Sequence, residues 1–405
     1  MGLCYILCDS FEGAEAPSLS PFLAELFPMT TPADSLIEHF SHVPDPRIER
    51  SQRHRLIDIM VIATCGAICG ADTWVHIAEF GRSKYDWLTT FLELPNGIPS
   101  HDTFGRVFAR ISPEHFQDCF SGWVQSLLPK FEEEIVPIDG KTLRRSYDRT
   151  SGKAAVHMVN AWAVKNRLVL GQFHCAGGLD EITIIPELLR VLALKGCIVT
   201  VDAIGCHKSV AEQVIDQHGD YVLAVKANQP KLWDHVRQLF DREEDQLHQD
   251  LSVDAFETHD ENHGRIETRR YWTTEQVDDF AQWAAWKGLR LFGMVEAQRQ
   301  VGDHVSVERR YYISSLDNDA QRFGEAVRSH WGIENSLHWV LDVVFREDDS
   351  RVRIGHAPEN LALLRQIALS LLQQEKTAKV GVQTKRLKAG WDNTYLAKVL
   401  SAGHF

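Results

Sequence analysis

Hydrophobic and polar positions follow two different rhythms along this chain, and the rhythm changes near residue 130. From Asp34 to about Lys130, apolar residues recur at steps of three and four, the period of helices with one buried face. "PADSLIEHFSHV" opens with Pro and Asp, which suit a helix start. "RHRLIDIMVIATCGAICG" reads as a second helix, and "SHDTFGRVFARIS" as one capped by Ser100 or Asp102. "PEHFQDCFSGWVQSLLP" follows in the same period. The pattern predicts an all-helical unit over residues 33–130, either a plain bundle or one that includes a helix-turn-helix. Residues 1–32 show no clear periodicity and read as an unstructured leader.

Beyond residue 130 the texture becomes that of strands. "EEIVPIDG" is a short β-run ending in Asp-Gly, and "AAVHMVNAWAVKN" and "LVLGQFHCA" form a hairpin around a polar turn. A helix over "EITIIPELLRVLAL", a buried strand over "GCIVTVDAIG", a helix over "HKSVAEQVIDQHG" and a strand over "DYVLAVKAN" follow. The order β-β-β-α-β-α-β predicts a mixed sheet with helices packed on it. In such sheets, sites form outside the carboxyl ends of the strands. Next come the charged helix "KLWDHVRQLFDREEDQLHQ" and the strand-like "FETHDENHGRIETRRYWTT", "LRLFGMVEAQRQ" and "VSVERRYYISSLD". The expected organisation is a catalytic core over 131–253 and 317–375, a β-rich insertion over 254–316 and a basic segment over 376–405. "APENLALLRQIALSLLQQE" is expected to be an amphipathic helix.

Composition narrows the class. A 44% hydrophobic content allows a real core, and a net charge of −13 argues against indiscriminate coating of nucleic acid. The eight cysteines form no CxxC pair and sit in apolar runs, which reads as reduced thiols in a cytoplasmic protein. The start lacks the basic region of a secretory signal, and "LIDIMVIATCGAICGA" is too short to span a bilayer, so no membrane partner is expected.

The candidate chemistry lies in three acids. Asp139 ends the first core strand and Asp202 the fourth, each after an apolar run. Two poorly solvated carboxylates on neighbouring strands repel unless a cation lies between them. The third acid lies in "RSHWGIENSLHWVLD", residues 328–342, which predicts an unbroken helix. Ile333, Leu337, Val340 and Val344 make its buried stripe, and beside them His330, Glu334, His338 and Asp342 recur every four residues. Glu334 projects about 100° from the apolar stripe, toward the strand ends. Three such acids suit a two-metal site, with ions about 3.5–4 Å apart, that activates water or a DNA 3′-hydroxyl. A zinc site at His330 and His338 is disfavoured, because about 12 Å of helix axis separates them and no HExxH is present. These histidines read instead as phosphate or water contacts beside Glu334, or as plain polar residues. Positive charge follows the acids: Lys141, Arg144, Arg145, Arg149 and Lys153 after Asp139, then Lys226 and Lys231 after the last core strand. Arg pairs beside aromatics occur in "HGRIETRR" and "VERRYY". Around one sheet edge these residues make a nucleic-acid track.

"IDGKTLRRS", "VDAIGCHK", "DYVLAVKANQ", "HGRIETRRYW", "HWGIENSLHWVLDVVFREDDSR" and "NLALLRQIAL" closely resemble the H-repeat-associated transposases, from about residue 34 to 400. The resemblance implies an α/β, ribonuclease-H-like mixed sheet flanked by helices, an N-terminal helical associated domain that binds DNA, and a β-rich insertion before the Glu. It implies a DDE triad at Asp139, Asp202 and Glu334, which hold Mg²⁺ with Mn²⁺ as a substitute. Expected DNA contacts are Lys141, Arg144, Arg145, Lys226, Arg328, His330 and His338. The implied partners are double-stranded DNA, as transposon ends and target, and further copies of the chain in a synaptic homo-oligomer. A nuclease without strand transfer and an inactive, domesticated DNA-binding protein are the alternatives. Related insertion-sequence enzymes carry a Tyr, Arg and Lys around the Glu; here Arg328 lies six before it, His330 four before and Leu341 seven after.

Overall fold

Apolar runs interrupted by short polar turns build one mixed sheet, and helices cover both of its faces. This computed structural model describes residues 33–127, 133–147, 152, 154–175, 181–241, 252–262, 264–278 and 280–401. The leader at 1–32, Arg149, Lys153 and the acidic end of the charged helix lie outside the described residues.

Strands β1 (Ile135–Thr142), β2 (His157–Ala163) and β3 (Leu168–His174) form an antiparallel meander. β4 (Ile198–Val201) lies parallel to β1, and β5 (Asp220–Val225) lies parallel to β4. The order β3-β2-β1-β4-β5 is the ribonuclease-H-like arrangement foreseen from the sequence. Val136, Ile138, Val159, Val199 and Leu223 are buried in its core, as strands covered on both faces require.

Residues 254–316 do not form a separate sheet. Strands β6 (Val253–Asn262), β7 (Arg265–Thr274), β8 (Leu291–Val301) and β9 (His304–Ser314) make an antiparallel meander. β9 pairs antiparallel with β5 through Val222 and Ser314, so the insertion extends the core sheet to nine strands.

The N-terminal unit has helices at Asp34–Phe40 (α1), Leu56–Ile68 (α2), Trp74–Ser83 (α3), Tyr85–Leu88 (α4), His101–Phe108 (α5) and Pro113–Leu127 (α6). Ser100, rather than Asp102, caps α5 by accepting the Thr103 amide at 3.3 Å. On the sheet lie α7 (Glu181–Val191), α8 (Lys208–Asp216) and α9 (Pro230–Phe240).

The expected helix over residues 328–342 is not one regular α-helix. α10 (Ala320–Ile333) passes into a π-helical turn at Glu334–His338, and α11 (Trp339–Val343) continues it. α12 (Ala357–Gln374) is not amphipathic but buried almost throughout, with Asn360, Arg365, Gln366 and Ser370 inside. Its polar side chains serve other elements: Asn360 donates to the Phe108 and Ile111 carbonyls at 2.8 and 3.0 Å. α13 (Val382–Trp391) and α14 (Asn393–Leu400) are the last described helices, and part of their basic character is structural. Arg386, for instance, is buried, donates to the Ala67 carbonyl at 3.0 Å and pairs with Asp72 at 2.8 Å.

Candidate active site

β1 and β4 run parallel and side by side, with Ile138 opposite Val201, so Asp139 and Asp202 come next at the carboxyl end of β4. Contrary to expectation, Asp139 does not end its strand, because β1 runs on to Thr142 against β2. Three backbone amides hold the two carboxylates. Asp139 Oδ1 accepts the Gly140 amide at 2.9 Å. Asp202 Oδ1 accepts the Ile204 and Gly205 amides at 3.0 and 3.2 Å. The Asp202 loop is locked from β5's side, where Asn228 donates to the Ala203 carbonyl at 2.6 Å and Gln229 to the Cys206 carbonyl at 3.1 Å. Gly205 allows this loop to sit close, because a Cβ there would meet Val201 Cγ1 at 2.3 Å and Ile185 Cδ1 at 2.6 Å.

The polar stripe of the third segment now has an explanation. Ile333 and Leu337 are buried and dock the segment on the sheet. Each polar neighbour then meets a partner near a strand end. His330 Nδ1 lies 3.0 Å from Thr200 Oγ1 on β4. Glu334 and His338 reach Asp139, and Asp342 pairs with Lys141. His338 Nδ1 lies 3.1 Å from Glu334 Oε2 and 3.5 Å from Asp139 Oδ2.

Asp139, Glu334 and His338 each offer a ligand atom, and these atoms lie within 4.8 Å of one another. Two carboxylates and an imidazole so placed are a donor set that fits a divalent cation. Asp202 is not part of that tight group, but with Asp139 and Glu334 it lines a cleft of about 360 Å³. Thr200, Lys226, Glu308, Arg310, Tyr312, His330 and Trp331 form further walls.

The electrostatics mark the same place. Burial pushes the Asp139 carboxyl up to about 7; the charges of Asp202, Glu181 and Glu334 push the same way, and the Gly140 amide opposes them. Burial lowers His338, against its hydrogen bond to Glu334. Burial also lowers His330, against the charge of Asp202. Crowded carboxyls at a concave edge, one holding its proton near neutrality, are a pattern of functional sites.

The basic residues divide. Lys226 is exposed at the end of β5 and faces the cleft, and Arg328 is exposed on α10, 3.9 Å from Asp260 of β6. His330 lines the cleft, but its Nδ1 is engaged with Thr200. His338 is buried between the acids, not on an open track. Lys141 does not fit an exposed phosphate contact: it is buried, paired with Asp342 and 3.7 Å from Glu347. Two residues on from Asp139, it shares that residue's face of β1 and so points onto the Glu-bearing segment. Arg144 and Arg145 are exposed but pair with Asp348 at 3.2 Å and Asp349 at 3.4 Å. The run "REDDSR" therefore neutralises the run after Asp139 and ties β1 to the segment that carries Glu334.

Sequence reasoning overlooked Asn160, which stands opposite Asp139 on β2 with Nδ2 3.5 Å from His338 Nε2. An Asn inside the apolar run "HMVNAWA" was the available signal. It also overlooked the pair of His157 Nε2 with Glu181 Oε1 at 2.7 Å, beside Gly140. Arg310, whose guanidinium lies 4.7 Å from the Trp331 ring centre, belonged to a recognised Arg pair but had no assigned place.

Fold and acid placement together define the class, a DDE-type transposase core. Comparison with known proteins agrees: the family described as "Transposase DDE domain" matches residues 130–371, and "DDE_Tnp_1-associated" matches residues 37–124. This chain belongs to that transposase family. It is similar to "Putative transposase YncI" of Escherichia coli O157:H7, with 40% identity over 91% of this chain and 95% of the relative. It is also similar to "H repeat-associated putative transposase YhhI" of Escherichia coli K12, with 39% identity over 90% of this chain and 97% of the relative. Among solved structures, a piggyBac transposase synaptic complex with hairpin DNA matches at 11% identity and a TM-score of 0.44, over 91% of this chain and 81% of that one. No described helix is long and apolar enough to cross a membrane.

Proposed function

We propose that this chain is an active transposase that cuts DNA at the ends of an insertion sequence and joins the freed 3′-hydroxyls to a target. One observation carries the reading: carboxylates from β1, the loop after β4 and the π-helical turn line a single cleft at the sheet edge. Asp139, Asp202 and Glu334 are the residues that would hold the metal, Mg²⁺ or Mn²⁺ in its place. When bound, divalent cations activate the attacking water or 3′-hydroxyl and stabilise the leaving oxygen of an in-line displacement.

The rest is work for the chain itself. Lys226 gives the acidic cleft a cationic wall against which a phosphodiester can rest, and Arg310, which donates to Glu308 at 2.8 and 3.0 Å, joins it by exchanging that carboxylate for phosphate. Trp331, 47% exposed beneath Arg310, offers a face to an unstacked base or sugar. The amides of Ile204 and Gly205 hold Asp202 Oδ1 and so orient its carboxylate at the sheet edge. Arg328, exposed on α10, extends the cationic wall toward the insertion. Arg144 and Arg145 contact DNA in this reading only by exchanging Asp348 and Asp349 for phosphate. The helical unit at 33–130 takes the DNA-binding role, and synapsis of two ends calls for more than one copy.

The test uses the purified full chain, Mg²⁺ and a duplex that carries the inverted repeats flanking the coding DNA. Cleaved ends and end-to-target joints are the expected products. Cleavage with no joining, even from pre-cut ends, would make the protein a nuclease. Binding with neither reaction would make it an inactive DNA-binding protein.

A further inference from the structure

His338 is not a bystander to Asp139 and Glu334. Only 3% of it is exposed, yet its ring bridges the two acids through Nδ1 and reaches into the core through Nε2. Behind it, Asn160 Nδ2 lies 3.5 Å from Nε2, and Gln366 Nε2 donates to Asn160 Oδ1 at 2.7 Å. Asn160 and Gln366 are themselves 1% and 2% exposed, so the relay is walled off from water. A buried imidazole with one nitrogen held by a fixed partner and the other aimed at carboxylates has the outer support of a metal-bound histidine.

The relay serves either tautomer. The oxygen and nitrogen of a side-chain amide occupy nearly interchangeable positions. In one orientation Asn160 donates to Nε2, and the Nδ1 hydrogen is shared by Glu334 and Asp139. With both amides turned over, the Nε2 hydrogen goes to Asn160 Oδ1 and the Nδ1 lone pair faces the acids. Gln366 Oε1, buried with no protein partner, becomes the acceptor for the Asn160 amide in that second orientation.

We propose that His338 Nδ1 is a direct ligand of the cation held by Asp139 and Glu334, making this position a mixed oxygen and nitrogen site. The proposal rests on the reading of the cleft as a metal-dependent centre and adds the donor that sets its metal preference. Mg²⁺ is a hard ion that favours oxygen donors, whereas first-row transition ions gain from imidazole. The position therefore favours Mn²⁺ over Mg²⁺ more strongly than three carboxylates alone would. Asn160 and Gln366 act as positioning residues through the ring.

Pulsed electron paramagnetic resonance of the full chain loaded with Mn²⁺ tests this directly, because an imidazole nitrogen bound to the ion gives a ¹⁴N coupling. The expected result is a ¹⁴N coupling in the wild type that disappears in His338→Gln. In Mg²⁺ competition, the variant's preference for Mn²⁺ over Mg²⁺ falls by about tenfold or more. A Mn²⁺ complex of the wild type with no ¹⁴N coupling overturns the proposal while leaving the metal-dependent reading intact, and needs no variant to fold. Failure of the wild type to bind any divalent ion overturns both.

Discussion

Lys141 and Asp139 share one face of β1, yet their surroundings give them opposite characters. Lys141 is enclosed with Asp342 and Glu347, and Glu347 is itself buried and raised by that burial, against Arg365 and Lys141. Removing one partner of a buried charge group leaves the others uncompensated, at about 3–5 kcal/mol. Lys141→Ala is therefore expected to lower stability by about that much in urea denaturation, while the salt dependence of DNA binding stays as in the wild type. A weaker salt slope with unchanged stability would restore Lys141 to the DNA track. Asp139 shows the reverse effect. Its carboxyl titrates near 7 when folded and near the ordinary aspartate range when unfolded. Between those values the unfolded chain has already lost the proton that the folded chain keeps, so metal-free stability falls as pH rises to about 7 and then levels. Asp139→Asn should thus match the wild type at about pH 4 and exceed it by about 1–3 kcal/mol at about pH 8 without divalent ions, read by thermal melting. Both acids were legible because each closes an apolar run, although only Asp202 follows the end of its strand; Asp139 lies inside β1, which continues to Thr142. The inward course of Lys141 was not, because a basic run after a strand has the same composition whether phosphate or buried carboxylate receives it.

The π-helical turn at Glu334–His338 is the element on which the site's geometry depends. Hydropathy marked most of the docking stripe: Ile333, Leu337 and Val340 are buried, and Val344 is half-buried. It did not reveal the change of helix type, because a wider turn leaves the apolar residues on the same side and has no compositional mark. Such turns hold one residue more than an α-helix needs and recur at functional sites. Deleting the exposed Asn335 should return the segment to regular α-helix and rotate Glu334 by about 100° relative to His338. The expected variant folds, keeps its DNA affinity and loses cleavage. Retained cleavage would show that the wide turn is not needed to bring Glu334 to Asp139. α12 taught a related lesson. Its polar residues suggested one solvated face, but they hydrogen-bond inside the protein, and only tertiary neighbours reveal that.

At the scale of the molecule, the helical unit and the sheet share α12. Asn360 ties it to the α5–α6 connection, Gln366 to β2 and Gln374 to the Asn166 carbonyl at 2.8 Å. Elements bound to one buried helix should melt together, so calorimetry of the full chain is expected to show a single main transition. Two well-separated transitions would mean that the helical unit folds independently. The succession of strands and helices in the core could be read from sequence because each element carries its own hydropathy period. The joining of β9 to β5 could not, because that register is set by partners some 90 residues apart. The long-range assembly exists to bring three acids from distant parts of the chain to one edge. The most direct measurement of that claim is DNA end cleavage by Asp139→Asn, Asp202→Asn and Glu334→Gln, each assayed with Mg²⁺ beside the wild type. The account predicts that every variant still binds the duplex and that cleavage falls at least ~10³-fold in each. Any one of the three cutting within about tenfold of the wild type would contradict it.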